Sequence, residues 1–209
     1  MKAAELFVKA LENEGVEYIF GIPGEENLDV MDALLDSHIQ FITTRHEQGA
    51  AFMADVYGRL TGRAGVCIAT LGPGATNLIT GVADANMDHA PLIAIAGQAS
   101  THRLHKESHQ VLDLEAMFRP ITKYASRIVS PEVIPEVVRK AFKVAQTEKT
   151  GACFIEFPEN IAEMEIDDVP LRVKNASAPE PAAEEIERAA EVISNAKSPI
   201  ILAGNGVIR

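Results

Sequence analysis

Glu47 has the setting in this sequence that most invites chemistry. Residues 41–53, FITTRHEQGAAFM, form a strand-like apolar run that turns polar and passes at once into a helix opened by that carboxylate. Ligands of an open α/β sheet gather at the carboxyl ends of strands, so an acid here could hold or move a proton. A structural use is also open, because a carboxylate in the first helical turn is favoured by the helix dipole by about 0.3–1 kcal/mol. Three glycine-rich turns could cradle a ligand: Gly21-Ile22-Pro23-Gly24, Gly72-Pro73-Gly74 and Gly204-Asn205-Gly206. None completes a G-x-G-x-x-G dinucleotide pattern, since Asn77 and Arg209 stand where the third glycine would fall in the last two, and no turn carries a phosphate-loop lysine. On pattern alone all three are tight strand-to-helix turns. His102, His105 and His109 could share one helical face, but the segment has weak helical periodicity and no carboxylate at ligand spacing, so a polar loop and no metal site are expected. Cys67 and Cys153 sit in the apolar runs GVCIAT and GACFIEF. Buried free thiols are expected there, with a disulfide possible in principle and nucleophilic chemistry disfavoured.

The elements that must position these groups alternate. Strands are expected at 17–20, 39–43, 65–71, 91–96, 124–129 and 152–157. The helices between them bury Leu6, Phe7, Ala10 and Leu11, then Leu28, Met31, Leu34 and Leu35 after an Asn27 cap. Next come the small residues Gly49, Ala50, Ala51, Ala54 and Gly58, then Leu78, Ile79, Val82 and Ala83, and last Val133, Val137, Val138, Ala141, Val144 and Ala145. PLIAIA at 91–96 is apolar throughout, as a strand buried on both faces of a parallel sheet must be. The fold class that follows is α/β: a doubly wound, mainly parallel six-stranded sheet with helices on both faces, flavodoxin-like, since six strand units are too few to close a barrel. Residues 1–165 form this domain, and 166–183, rich in proline, read as a linker. Residues 184–209, one amphipathic helix and a buried strand at 199–203, read as the start of a second α/β domain, so the chain has the look of a fragment.

The 209 residues are 47% hydrophobic and 23% charged, the composition of a chain able to bury a core. A net charge of −11 disfavours nucleic acid and anionic membrane as partners. No apolar run approaches the ~20 residues of a membrane span, and the amphipathic N-terminus is unlike a signal peptide. A cytoplasmic protein is the expectation.

GIPGEEN, TTRHEQGAAFMAD, TLGPGATNLITGVADA, PLIAIAGQ, SHQVLD and PITKY, in that order, resemble the N-terminal pyrimidine-binding domain of thiamine diphosphate enzymes. The pattern is most similar to the acetolactate synthase large subunit, and it covers essentially the whole chain. The resemblance implies that Glu47 is catalytic, its carboxyl hydrogen-bonded to N1′ of the cofactor's aminopyrimidine within an apolar pocket. The cofactor then carries the carbanion chemistry that condenses two 2-keto acids, pyruvate with pyruvate or 2-oxobutanoate, with loss of carbon dioxide. It further implies cofactor contacts at Pro23, Gly24, Thr70, Gly72, Pro73, Gly74 and Asn77, and a substrate channel lined by Gly21, His109, Gln110 and Lys123. Plant and yeast biosynthetic enzymes resemble one another in placing phenylalanine before that glutamine. The His109-Gln110 pair is similar to the catabolic, flavin-independent branch, which disfavours FAD.

In the family the diphosphate and Mg2+ are held by a C-terminal domain bearing Gly-Asp-Gly…Asn, a motif absent from these residues. The resemblance thus implies half a site here, completed across a homodimer or tetramer, and an isolated chain without activity. A regulatory subunit is a further possible partner. Two alternatives stay open: another thiamine diphosphate enzyme (pyruvate oxidase, 2-keto acid decarboxylase or sulfoacetaldehyde acetyltransferase), or a non-catalytic α/β binding module. Glu47 speaks against glyoxylate carboligase, and the lack of a His-His pair against pyruvate decarboxylase.

Overall fold

The computed structural model describes residues 1–174 and 180–207. They fall into two compact units, Met1–Val173 and Lys174–Arg209. In the first, β1 (Tyr18–Gly21), β2 (Gln40–Thr43), β3 (Gly65–Ala69), β4 (Leu92–Gln98), β5 (Tyr124–Arg127) and β6 (Ala152–Pro158) make one sheet in the order β2-β1-β3-β4-β6-β5. Every pairing is parallel. The α/β doubly wound sheet is therefore observed, with β6 inserted between β4 and β5.

Strand residues divide by parity between two apolar layers. Val66, Ile68, Ile93, Ile95, Cys153 and Ile155 face α1 (Ala3–Asn13), α2 (Leu28–Leu34), α6 (Ile134–Gln146) and α7 (Glu159–Ala162). Cys67, Ala69, Leu92, Ala94, Ala96 and Phe154 face α3 (Glu47–Thr61), α4 (Gly72–Met87) and α5 (Leu114–Phe118). Successive side chains of a strand point to opposite faces, so a sheet covered on both sides needs strands apolar at every position. Helices α3 and α4 lie close because small residues meet: a Cβ on Gly81 would fall 2.6 Å from the Cβ of Ala51. Arg59 ties the same pair, its Nε donating to Asp55 at 2.8 Å and its two amino groups reaching Asp84 at 2.9 Å and Asp88 at 2.6 Å. Among the described residues no helix is long and apolar enough to cross a membrane.

Several sequence expectations are corrected. The seven-residue α2 buries Val30 and Leu34, whereas Leu28 and Leu35 are exposed and Met31 is only half-buried. A helix of two turns has room for only two inward positions against α1. Asn27 precedes α2 but makes no side-chain cap; its Oδ1 accepts from the Gly24 amide at 2.9 Å instead. Gly49 is exposed, and Asp55 in the middle of α3 is buried along with Ala50, Ala51, Ala54 and Gly58. Helices α5 and α7 are short elements that periodicity did not reveal.

Ile166, expected to start the linker, pairs with the N-terminus: its amide donates to the Met1 carbonyl at 2.9 Å, next to the β-bridge of Glu165 with Lys2. Residues 175–179 of the expected linker, and Arg209, lie outside the described residues. In the second unit α8 (Ala183–Asn195) forms as expected, with no buried residue. The strand expected at 199–203 is not formed: Ile200, Ile201 and Leu202 are 92%, 78% and 99% exposed. A parallel strand has no hydrogen-bonding of its own without a neighbour, so its apolar sequence cannot create it.

Candidate active site

The crossover from β1 goes outward to β2 and returns past β1 to β3. Strand order therefore reverses between β1 and β3, and a doubly wound sheet opens its ligand crevice at the carboxyl ends of such a pair. On the β1 side, Gly21 ends the strand and its carbonyl accepts from the Thr44 amide at 2.9 Å, which aligns the exit of β2 beside it. The turn through Pro23 then brings Gly24 so close to β3 that a Cβ there would fall 2.5 Å from the Cβ of Thr70. Gly21 is equally pressed, with a Cβ 2.7 Å from Ile68 Cγ2. Side chains at either glycine would push the two strand ends apart.

Glu47 reaches this crevice from α3. The helix is capped by His46, whose Nδ1 accepts from the Gln48 amide at 3.2 Å. With that capping role filled, the half-buried Glu47 carboxyl turns sideways to α4: Asn77 Nδ2 donates to its Oε2 at 2.9 Å. Its Oε1 faces Gly74, where a Cβ would stand 3.4 Å away. The absence of that side chain leaves Oε1 open to a ligand. Thr70 lines the same floor; its methyl group packs on Gly74 and its hydroxyl donates to Glu26 Oε2 at 2.5 Å. Gly72 starts α4 at φ +49, and a Cβ there would lie 2.5 Å from the Gln110 carbonyl, so the exposed His109-Gln110 turn rests on the helix start. Gln110 itself has φ 57.

The structure thus gathers Gly21, Pro23, Gly24, Glu47, Thr70, Gly72, Pro73, Gly74 and Asn77 around one crevice, with the His109-Gln110 turn at its lip. Lys123 it does not. That residue immediately precedes β5, so it sits at the amino end of a parallel sheet whose crevice is at the carboxyl end. Its Nζ donates to the carbonyls of Val144, Thr147 and Lys149 at 2.5, 2.7 and 2.5 Å, closing the end of α6. Expected in the substrate channel, it here ties down the end of α6 instead of reaching the Glu47 crevice. His102 and His105 lie in turns rather than on a helix, and the described residues hold no metal-binding cluster. Cys67 and Cys153 are free and buried; desolvation pushes Cys153 up to about 12 and Cys67 higher still. Sequence reasoning missed Glu26 as a partner of Thr70; its only signal was an acid three residues after the Pro23 turn.

The donor set decides what kind of group would fit. Residues 21–27 and 70–77 and Glu47 include the carboxylates Glu25, Glu26 and Glu47 and no lysine, arginine or histidine. A neutral or proton-bearing heteroaromatic ring suits such a crevice, whereas a diphosphate would be repelled and would need cations from elsewhere.

Fold and site together define a ligand-binding α/β domain with an acid at the switch point of its sheet. Residues 1–117 match the family model of the thiamine pyrophosphate enzyme N-terminal TPP binding domain, and the chain belongs to that family. It is 45% identical over 217 aligned residues to a probable acetolactate synthase large subunit of Methanocaldococcus jannaschii, covering 100% of this chain and 36% of that protein. To an acetolactate synthase of Bacillus subtilis it is 42% identical, covering 97% and 36%. To a catabolic acetolactate synthase of Raoultella terrigena it is again 42% identical, covering 96% and 36%. The chain spans little more than a third of the length of these curated relatives.

Proposed function

We propose that this chain is the pyrimidine-holding part of an acetolactate synthase, a transferase that condenses pyruvate with a second 2-keto acid, and that Glu47 is its proton handle. The observation that carries the reading is the Glu47 carboxyl at the switch-point crevice, fixed at Oε2 by Asn77 and left open at Oε1 by Gly74. Thiamine diphosphate, when bound, supplies the carbanion chemistry. This chain's residues do the rest of the work on this side of the ring. Glu47 Oε1 holds a proton toward a ring nitrogen, and Asn77 keeps the carboxyl from rotating away. Gly24, Thr70 and Gly74 form the floor that admits a flat ring, and the Gln110 turn narrows the approach.

The diphosphate belongs to residues outside this crevice, whose own acids would repel it, and Mg2+ would go with the diphosphate it neutralises. Partner contact through the outer face of α3 is supported by the exposure of Phe52, Met53, Val56 and Leu60, which lie on the helix that carries Glu47. Such a contact would let a second subunit complete the site as a homodimer or tetramer. Alone, the chain turns over no pyruvate. The His109-Gln110 pair, which resembles the catabolic, flavin-independent branch, favours an enzyme without FAD, and the cytoplasm is the location this reading assigns it.

The deciding experiment is Glu47→Gln in the full-length protein. The expected outcome is loss of pyruvate-dependent acetolactate formation, by about 10²-fold or more, the scale of a general acid–base group, with the fold intact by circular dichroism. Activity within a few-fold of the parent would refute the assignment. Acetyl phosphate or acetaldehyde as the product of the parent would instead place it in another branch of the family.

A further inference from the structure

Residues 99–113 join β4 to α5 through turns alone, yet they carry the His109-Gln110 turn to Gly72. One buried side chain closes the base of this connection. Gln98, fully buried at the end of β4, donates from Nε2 to the Leu112 carbonyl at 3.0 Å and to Glu156 Oε1 at 2.9 Å. Its Oε1 accepts from the Ala99 amide at 2.9 Å. Glu156, fully buried on β6, also accepts from Arg127 Nε at 2.8 Å. A second pin lies one step further on. The Ser100 amide donates to Glu159 Oε1 at 2.8 Å, and Thr101 and Asn160 exchange two hydrogen bonds at 2.9 and 3.0 Å.

Buried polar groups in otherwise apolar strands cost desolvation, and an apolar pair would join β4 to β6 as well. What Gln98 and Glu156 add is a grip on a loop. We infer that Gln98, held by Glu156, is a positioning residue that seats the 99–113 connection, and through it the Gln110 turn, on Gly72 at the lip of the Glu47 crevice. Glu159 and Asn160 are its second pin. The connection then arrives already ordered, so substrate need not order it on binding. Freeing it would weaken substrate binding in ground state and transition state alike, which raises KM and leaves kcat. That kinetic consequence rests on the functional reading above; the seating of the loop does not.

The test has two arms. In hydrogen exchange on the 209-residue chain, Gln98→Met is expected to speed exchange at residues 100–112 about tenfold, the scale of one lost hydrogen bond, while β3 and β4 keep their protection. Asn160→Ala, outside the buried network, is expected to do the same at residues 100–103, and it decides the matter if Gln98→Met fails to fold. Unchanged loop exchange, or equal loss in loop and sheet, overturns the proposal. In the full-length protein, Gln98→Met or Asn160→Ala is expected to raise KM for pyruvate several-fold with kcat within about twofold and thiamine diphosphate affinity unchanged. A fall in kcat at constant KM overturns the positioning role. Glu47→Gln, run in parallel, tests the functional reading separately, because the exchange arm stands whatever its result.

Discussion

Gly81→Ala is the substitution whose consequence can be worked furthest from the structure. Gly81 lies in α4, where a Cβ would stand 2.6 Å from Ala51 Cβ, 3.0 Å from the Phe52 amide nitrogen and 3.1 Å from the Ala51 carbonyl carbon, all on α3. Carbon atoms in contact prefer about 3.5–4.0 Å, so α3 and α4 must separate by roughly 1 Å. Overpacking of this kind costs about 1–3 kcal/mol, and the α3 backbone atoms among these neighbours, which cannot swing aside, place it at the upper end. Alanine returns up to ~1 kcal/mol of helix propensity. The net expectation is a loss of about 2 kcal/mol, or ~4–8 °C in Tm for a chain of this size.

Gly49→Ala supplies the opposite sign within the partner helix. That position is exposed with nothing within 4 Å of a Cβ, so the propensity gain stands alone and Tm rises by about 1–4 °C. Thermal unfolding followed by circular dichroism, at a concentration where sedimentation shows one oligomeric state, reads both. Because α3 bears Glu47 and α4 bears Asn77, spreading the helices also stretches their 2.9 Å hydrogen bond, so Gly81→Ala is expected to lower turnover of the full-length protein as well. A Gly81→Ala protein that melts at or above the parent would refute the close-packing argument.

Lys123→Met is expected to lower Tm, because it removes three carbonyl contacts at the end of α6, while leaving KM for pyruvate unchanged. A raised KM would return Lys123 to the substrate path. Arg59→Met strands Asp55, whose side chain is 3% exposed, and is expected to cost on the order of 2 kcal/mol in urea unfolding, below the range for wholly buried pairs because Arg59 is 36% exposed. An unchanged urea midpoint would show that solvent substitutes for the guanidinium. The two thiols should resist alkylating reagents until the chain unfolds. Cys153 is raised by burial from 9.0 to about 12, so the folded chain holds its proton more tightly than the unfolded one. The thiol's contribution to stability is therefore complete below about pH 9 and is lost as pH rises toward 12. Replacing both cysteines by alanine should flatten the fall of urea midpoints across that window; equal slopes would contradict it.

Much of the fold was legible because a doubly wound sheet writes itself as alternation. Runs such as GVCIA in β3 are apolar at every position, as strands covered on both faces must be. The Glu47 helix start was legible too, since strand, polar residues and carboxylate follow one another directly. Periodicity fails where an element is short or lacks a neighbour. Leu28 and Leu35 matched a helical stripe, but a two-turn α2 buries only Val30 and Leu34. Residues 199–203 match a buried strand and form none, because hydrogen bonding in a parallel sheet belongs to pairs of strands. Gln98 and Glu156 went unnoticed for a related reason: one polar residue beside an apolar run changes no period, and only the neighbouring strand shows what it holds.

The sequence alone determined that Glu47 opens a helix at a strand's carboxyl end and that glycine turns lie nearby in order. Tertiary structure decided what that acid touches. β1 and β3 are adjacent although β2 separates them along the chain, and this brings Gly24 onto Thr70. The small-residue contact of α3 with α4 then sets Asn77 against one oxygen of Glu47 and bare Gly74 beside the other. Lys123, which the sequence could not distinguish from the site, is carried to the opposite end of the sheet. In a parallel sheet all carboxyl ends lie on one side, so a residue just before a strand and one just after another are held a strand's length apart.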